Sequence, residues 1–239
     1  MKWKDAFVAC PYARKVNIAF DSESLNSALD KQREEWWKAH AGPYHDGGWE
    51  SISIWAPNGN LFEQRSFGGP YGKTIAALVS PYFWHVAEQF NCEKNRIRLM
   101  RLKSGSHIFR HSDPLEDIKP ELVRFHIPIT TNPDVHFIVN NQRITMQPGE
   151  VWHIDVRFPH EVHNFGNKSR VHLVLDLLRN STLESLLHNA ESVGSGRLTA
   201  YYFSHALPAP VRRFFNIDGN GMNFRPRHKI YLESKHPDN

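Results

Sequence analysis

The sequence predicts a mainly β protein with flanking helices, on two observations. Between residues 96 and 178 the chain runs as short apolar-rich segments broken by turn residues. On both sides of that region the apolar spacing changes to that of helices. Eight segments read as strands: RIRLMRL, SHIFRHSD, LVRFHIPI, VHFIV, QRITM, EVWHIDV, PHEVHNF and SRVHLVLDL. The breaks carry Ser-Gly, Asp-Pro, Asn-Pro, Asn-Asn, Pro-Gly and Gly-Asn. Gly and Asn tolerate positive φ there, and Pro fixes its own φ. So many short strands in so little chain predict a double-stranded β-helix, the jelly-roll or cupin-like pair of facing sheets.

The 239 residues can bury one large core, and we read a single domain. Residues 1–95 read as a helical or mixed N-terminal part, 96–180 as the jelly-roll core, and 181–239 as a C-terminal helix and tail. SESLNSALDKQREEWWKAH (22–40) places Leu25, Ala28, Leu29, Gln32 and Trp36 on one helix face. HDGGW (45–49) reads as a tight turn presenting Trp49, followed by a strand that ends in a turn near residue 60. GKTIAALVS and PYFWHVAEQF predict two short helices, the second opened by Pro81 after Ser80 as cap. Beyond the core, Ser181 with Glu184 resembles a capping box, and Leu183, Leu186, Leu187 and Ala190 form an apolar stripe. The tail from 197 is rich in aromatic and basic residues, and its stretch 201–231 is a candidate substrate lid.

Hydrophobic residues at 40% and charged residues at 23% describe an ordinary globular chain. Two cysteines, Cys10 and Cys92, exclude a disulfide framework and a cysteine-built zinc site. No apolar run is long enough for a signal peptide or a membrane span, so the expected setting is a reducing cytoplasm, away from membranes. Net charge is +4, but Lys and Arg are spread among 25 acids. The densest basic stretch holds Arg212, Arg213, Arg225, Arg227 and Lys229, with no nucleic-acid motif. We therefore expect a small-molecule or peptide partner and no nucleic acid; nothing in the sequence specifies an oligomeric state. The fifteen histidines, several inside strand-like runs, direct attention to metal chemistry.

In FRHSDP, His111 and Asp113 are two positions apart. Side chains at i and i+2 of a strand share a face, so the pair can offer two ligands to one metal. With one more histidine it would make a facial triad of the kind that holds non-haem iron and leaves open positions. Taken alone, the pair reads more readily as a turn aspartate before proline beside a commonplace strand-end histidine. In FPHEVHNFGNKSRVHLVLD two strands are joined by a Gly-Asn turn. A hairpin there would place His160 and Arg170 in one cavity, where a guanidinium fork matches a carboxylate. His163 falls on the opposite face from His160. His107, four positions before His111, is expected on the same face as His111. Trp152 and His153 fit a simple core, and Arg101 a surface ion pair.

His111-Ser-Asp113, His160 and Arg170 together resemble the aspartyl/asparaginyl β-hydroxylase family of iron(II)- and 2-oxoglutarate-dependent oxygenases. The resemblance covers about residues 42–180 and is carried by GSHIFRHSDP, RFHIPITTNP, PGEVWHIDVRFPHEVHN and SRVHLVLDL. It implies His111, Asp113 and His160 as iron ligands and Arg170 as the partner of the distal 2-oxoglutarate carboxylate. It also implies Arg124 and His126 as further contacts of that cosubstrate; these two independently satisfy the i, i+2 rule. The implied activity consumes O2 and 2-oxoglutarate, releases succinate and CO2, and hydroxylates an unactivated C–H bond of an amino acid, free, carrier-bound or in a peptide. The animal enzyme that names the family lacks the carboxylate ligand, whereas Asp113 is present here. The chain thus resembles bacterial members, proline hydroxylases among them, and Asp113 disfavours halogenation by occupying the halide position. The rival readings are a non-enzymatic cupin-like binding module and a zinc-dependent hydrolase that recruits His107 with His111.

Overall fold

The structure, a computed structural model, describes residues 7–64, 69–113, 122–199, 201 and 202. The basic residues Arg212, Arg213, Arg225, Arg227 and Lys229, and all of the candidate lid beyond residue 202, lie outside the described residues.

Strands β5 (Lys94–Leu102), β7 (Leu122–Thr130), β10 (Glu150–Ile154) and β12 (Arg170–Leu178) form the middle of a large antiparallel sheet. Strands β1 (Ala9–Ala19), β2 (Lys38–Ala39), β3 (Trp49–Pro57), β4 (Tyr71–Lys73) and β13 (Glu191–Arg197) extend it. The order is β13-β1-β10-β7-β12-β5-β3-β2, with β4 on β3. A second sheet holds β6 (His107–His111), β8 (Val135–Val139), β9 (Gln142–Ile144) and β11 (His160–Asn164), ordered β6-β11-β8-β9. Helices α1 (Ser22–Leu29), α2 (Ile75–Val79), α3 (Pro81–Glu88) and α4 (Ser181–His188) complete the described elements.

The period-2 pattern of the central strands builds three layers. Ile97 and Leu99 of β5, Val123, Phe125 and Ile127 of β7, and Leu173, Leu175 and Leu177 of β12 share one core with the helices. The alternate positions face the smaller sheet. There Met100, Leu102 and Val174 meet Ile108, Phe137, Val139 and Val162 in a second core. The same inner face carries most of the buried charge: Arg96, Arg98, Arg170 and Asp176 are all buried on it. A purely structural sheet would keep such groups in water. The fold is thus a jelly-roll with one apolar, helix-covered face and one polar interior.

Several expectations are corrected. The helix foreseen over 22–40 ends at Leu29. It is followed by a short 3-10 turn, Glu34–Trp36, and by β2. Trp36 and Trp37 are both buried, and Arg101 lies over the Trp37 ring at 4.3 Å while pairing with Glu34. That packing outweighs helix propensity. Strand β1 was not foreseen, because Pro11 and two basic residues interrupt its apolar pattern. The cap of α4 is Asn180, whose side chain accepts from the Leu183 N–H at 3.0 Å, rather than Ser181. Ser80 precedes Pro81 without capping it, and its hydroxyl donates instead to the Ala28 carbonyl. Strands β11 and β12 do not form a hairpin. Each belongs to a different sheet, β11 pairing with β6 and β8, and β12 with β5 and β7. The turn between them crosses from one layer to the other.

Candidate metal centre and its cavity

His111 closes β6 and His160 opens β11, and the two are directly paired in the antiparallel register. Their rings therefore meet, with centroids 4.3 Å apart. Asp113 lies just past the end of β6. Its N–H donates to the Val156 carbonyl at 2.9 Å, and its own carbonyl accepts from the Tyr201 hydroxyl at 3.0 Å. Its Oδ1 lies 3.5 Å from Nε2 of each histidine. Together the three side chains offer donor atoms within 4.8 Å of one another, a set that could hold a metal ion.

The hydrogen bonds behind the histidines favour that use. His111 Nδ1 lies 2.6 Å from the Phe109 carbonyl and His160 Nδ1 lies 3.0 Å from the Phe158 carbonyl. A carbonyl only accepts, so each Nδ1 carries the proton and each Nε2 presents its lone pair. Burial, then repulsion from His111, pushes the His160 pKa down to about 4 against the pull of Asp113, so the ring is neutral at neutral pH. Burial alone would raise Asp113, but Arg124 beside it and the two histidines hold it well below the usual carboxylate range. The Tyr44 ring stacks on His111 at 4.6 Å and 6°.

A row of guanidiniums stands behind Asp113. Asp176 on β12 is paired in register with Arg96 on one side and Arg124 on the other. Arg124 donates through Nε to Asp176 Oδ1 at 2.6 Å and through a terminal nitrogen to Asp113 Oδ2. Arg96 and Arg98 reach Asp176 at 2.9 and 3.0 Å. Sequence reasoning set Arg124 against a cosubstrate; its guanidinium spans Asp113 and Asp176 and also lines the cavity described next.

A cavity of about 360 Å³ is lined by His111, Asp113, His160, Arg170, Arg124 and His126, so the fold brings all six sequence candidates together. Arg170 is 2% exposed. One of its terminal nitrogens donates to His172 Nδ1 at 2.9 Å, and its Nε has no partner among the described residues. Burial alone lowers its pKa to about 9, which leaves it cationic at neutral pH. Both ring nitrogens of His126 are likewise buried without a partner among the described residues. Burial, then the nearby Arg170 and Arg124, hold that ring well below its ordinary pKa. Orphaned buried polar atoms are costly, and a cluster of them beside a donor set marks a place for a ligand.

The remaining candidates fall outside this centre. His107 pairs with His163 across the sheet because a bulge in β6 shifts the register between His111 and Ile108. Both therefore sit on the other face, where His107 faces Asp46 at 3.3 Å and His163 faces Glu161 at 3.2 Å. Trp152 and His153 are buried core, and Arg101 pairs with Glu34 and Glu50. Trp49 is buried but does line the cavity, stacked on His40 at 3.6 Å. Sequence reasoning passed over Arg96, Arg98 and Asp176; period-2 spacing puts Arg96 and Arg98 on one face of β5, but their meeting with Asp176 depends on the order of the strands. Tyr44 and Tyr201 leave no local signal, since contacts distant in the sequence bring them to His111 and Asp113.

Among the described residues no helix is long and apolar enough to cross a membrane. L-proline cis-4-hydroxylase of Rhizobium meliloti is 26% identical over 178 residues, 73% of this chain. That alignment spans 63% of the relative's length. A 2OG-Fe(II) oxygenase family oxidoreductase from Burkholderia pseudomallei matches 73% of this chain and 84% of its own, at 17% identity and a TM-score of 0.47. A Pseudomonas putida prolyl-4-hydroxylase matches 72% of this chain and 94% of its own, at 12% identity and a TM-score of 0.47. The aspartyl/asparaginyl β-hydroxylase family model matches residues 18–180, well over half of the sequence, and the chain belongs to that family.

Proposed function

We propose that this chain is an iron(II)- and 2-oxoglutarate-dependent oxygenase that hydroxylates an unactivated C–H bond of an amino-acid-like substrate. The observation that carries the reading is a His-Asp-His donor set, its two histidines buried and Asp113 partly so, sharing one cavity with an arginine that has no acidic partner among the described residues. His111, Asp113 and His160 would hold the iron. Arg170 would take the distal carboxylate of 2-oxoglutarate, with His126 as a further contact. When bound, iron and 2-oxoglutarate together supply the O2-dependent oxidation, with succinate and CO2 as by-products.

The chain's own residues do the positioning. Phe109 and Phe158 fix the histidine tautomers, and Arg124 orients Asp113 by holding Oδ2 while Oδ1 stays with the imidazoles. Asp176 in turn holds Arg124 by two hydrogen bonds. Arg98, buried with an unpartnered Nε, is suited to the carboxylate of an amino-acid-like substrate. The relative named above acts on L-proline, which supports a small amino-acid substrate. A cytoplasmic setting fits that chemistry.

The test is succinate formation by the iron-loaded chain under air across a panel of amino acids. Substrate-stimulated succinate release that stops when zinc replaces iron supports the reading. Equal succinate release with zinc in place of iron would overturn the iron-dependent reading, and no succinate with any amino acid would favour a hydrolase or a binding module. A smaller effect is expected at Tyr201→Phe, which removes the hydroxyl that holds the Asp113 carbonyl. Ni(II) affinity, read by calorimetry, should fall by about 0.5–1.5 kcal/mol with the unfolding midpoint little changed.

A further inference from the structure

We propose that the substrate carries net negative charge, with a second carboxylate met by Arg96 on the Arg96–Arg98 side of the cavity. The inference rests on the iron and 2-oxoglutarate reading above and deepens it. Iron(II) brings two positive charges, matched by Asp113 and by the 2-oxoglutarate carboxylate next to the keto group. The distal carboxylate matches Arg170. What remains is Arg96, Arg98 and Arg124 against Asp176: three guanidiniums on one carboxylate, an excess of two positive charges. Buried charge left uncompensated is expensive, so the excess favours a ligand that brings the missing negative charge.

The donors are present for it. Arg96 spends Nε and one terminal nitrogen on Asp176 and the other terminal nitrogen on the Gln64 carbonyl, leaving N–H groups of its five unspent. Arg98 makes its bond to Asp176 through one terminal nitrogen, and its buried Nε has no partner among the described residues. Both line the cavity, with His40 and Gln64. Among the described residues that line it, the one acid is Asp113, which is committed to the metal, so a substrate ammonium meets no free carboxylate. Burial and the neighbouring Arg98 push His40 down to about 2, so the positive potential comes from the arginines alone. A plain zwitterionic amino acid leaves the excess standing; a dicarboxylic one reduces it. The family name spans an acid and its amide and does not itself choose between them.

Isosteric probes separate charge from shape. The whole chain is loaded with redox-inert Ni(II) and titrated by calorimetry with 2-oxoglutarate. The loaded protein is then titrated with L-glutamate, L-glutamine, L-aspartate, L-asparagine and L-proline. The proposal expects each acid to bind roughly tenfold or more tightly than its amide and than L-proline. It expects Arg96→Gln to abolish that preference while 2-oxoglutarate still binds. If 2-oxoglutarate fails to bind, the cosubstrate reading falls and this proposal with it. If 2-oxoglutarate binds but the amides or L-proline bind as tightly as the acids, or neither acid binds, the charge proposal alone is overturned.

Discussion

Asp113→Ala is expected to abolish most 2-oxoglutarate-dependent hydroxylation and to weaken metal binding by roughly a hundredfold or more, since changes to groups merely behind a ligand already cost 10–100-fold. The carboxylate is the only anionic member of the donor set, lying 3.5 Å from both imidazole nitrogens. Removing it also leaves the Arg124 nitrogen that faced Asp113 uncompensated, one more positive charge beside a cation. The fold should survive, because the backbone bonds of Asp113 to Val156 and Tyr201 do not involve the lost atoms. Calorimetric titration with Ni(II), beside a melting curve by circular dichroism, separates the two effects. Wild-type metal affinity in a folded variant would remove Asp113 from the donor set.

The second large effect belongs to Arg170→Ala. Truncating one partner of a buried, hydrogen-bonded charge pair costs about 2–5 kcal/mol, so 2-oxoglutarate should bind roughly 30- to 5000-fold more weakly. Metal affinity measured without the cosubstrate should stay near wild type, because among the described residues Arg170 makes no hydrogen bond or ion pair to the three donor side chains and bonds instead to His172. Arg170→Lys should recover only part of the loss, since an ammonium keeps the charge but not the planar fork. An unchanged requirement for 2-oxoglutarate would show that another cation holds the distal carboxylate.

Much of this was legible in the sequence wherever local pattern dictates structure. The eight strands from β5 to β12 follow from apolar alternation and turn residues. The donor set was read from the two-residue spacing of His111 and Asp113 plus a resemblance that reached to His160; the strand itself stops at His111, and Asp113 is placed by its backbone bonds to Val156 and Tyr201. What failed did so where tertiary contacts override local preference. Paired burial of Trp36 and Trp37 cuts short a helix that spacing alone would continue. The bulge in β6 turns His107 away from His111, a one-residue shift that alternation cannot foresee. His160 and Arg170 share a cavity as expected, yet through strands in opposite sheets rather than a hairpin. The deepest omission is Asp176. Its meaning lies in being flanked by Arg96 and Arg124, and that neighbourhood depends on the order β7-β12-β5, which no single strand encodes.

The most direct measurement is anaerobic visible absorption of the metal-free chain titrated with iron(II) and 2-oxoglutarate, beside His160→Ala. The account predicts a charge-transfer band that needs both additions and is missing in the variant, with the variant still folded. A folded wild-type protein that binds iron(II) but shows no band on adding 2-oxoglutarate would contradict it.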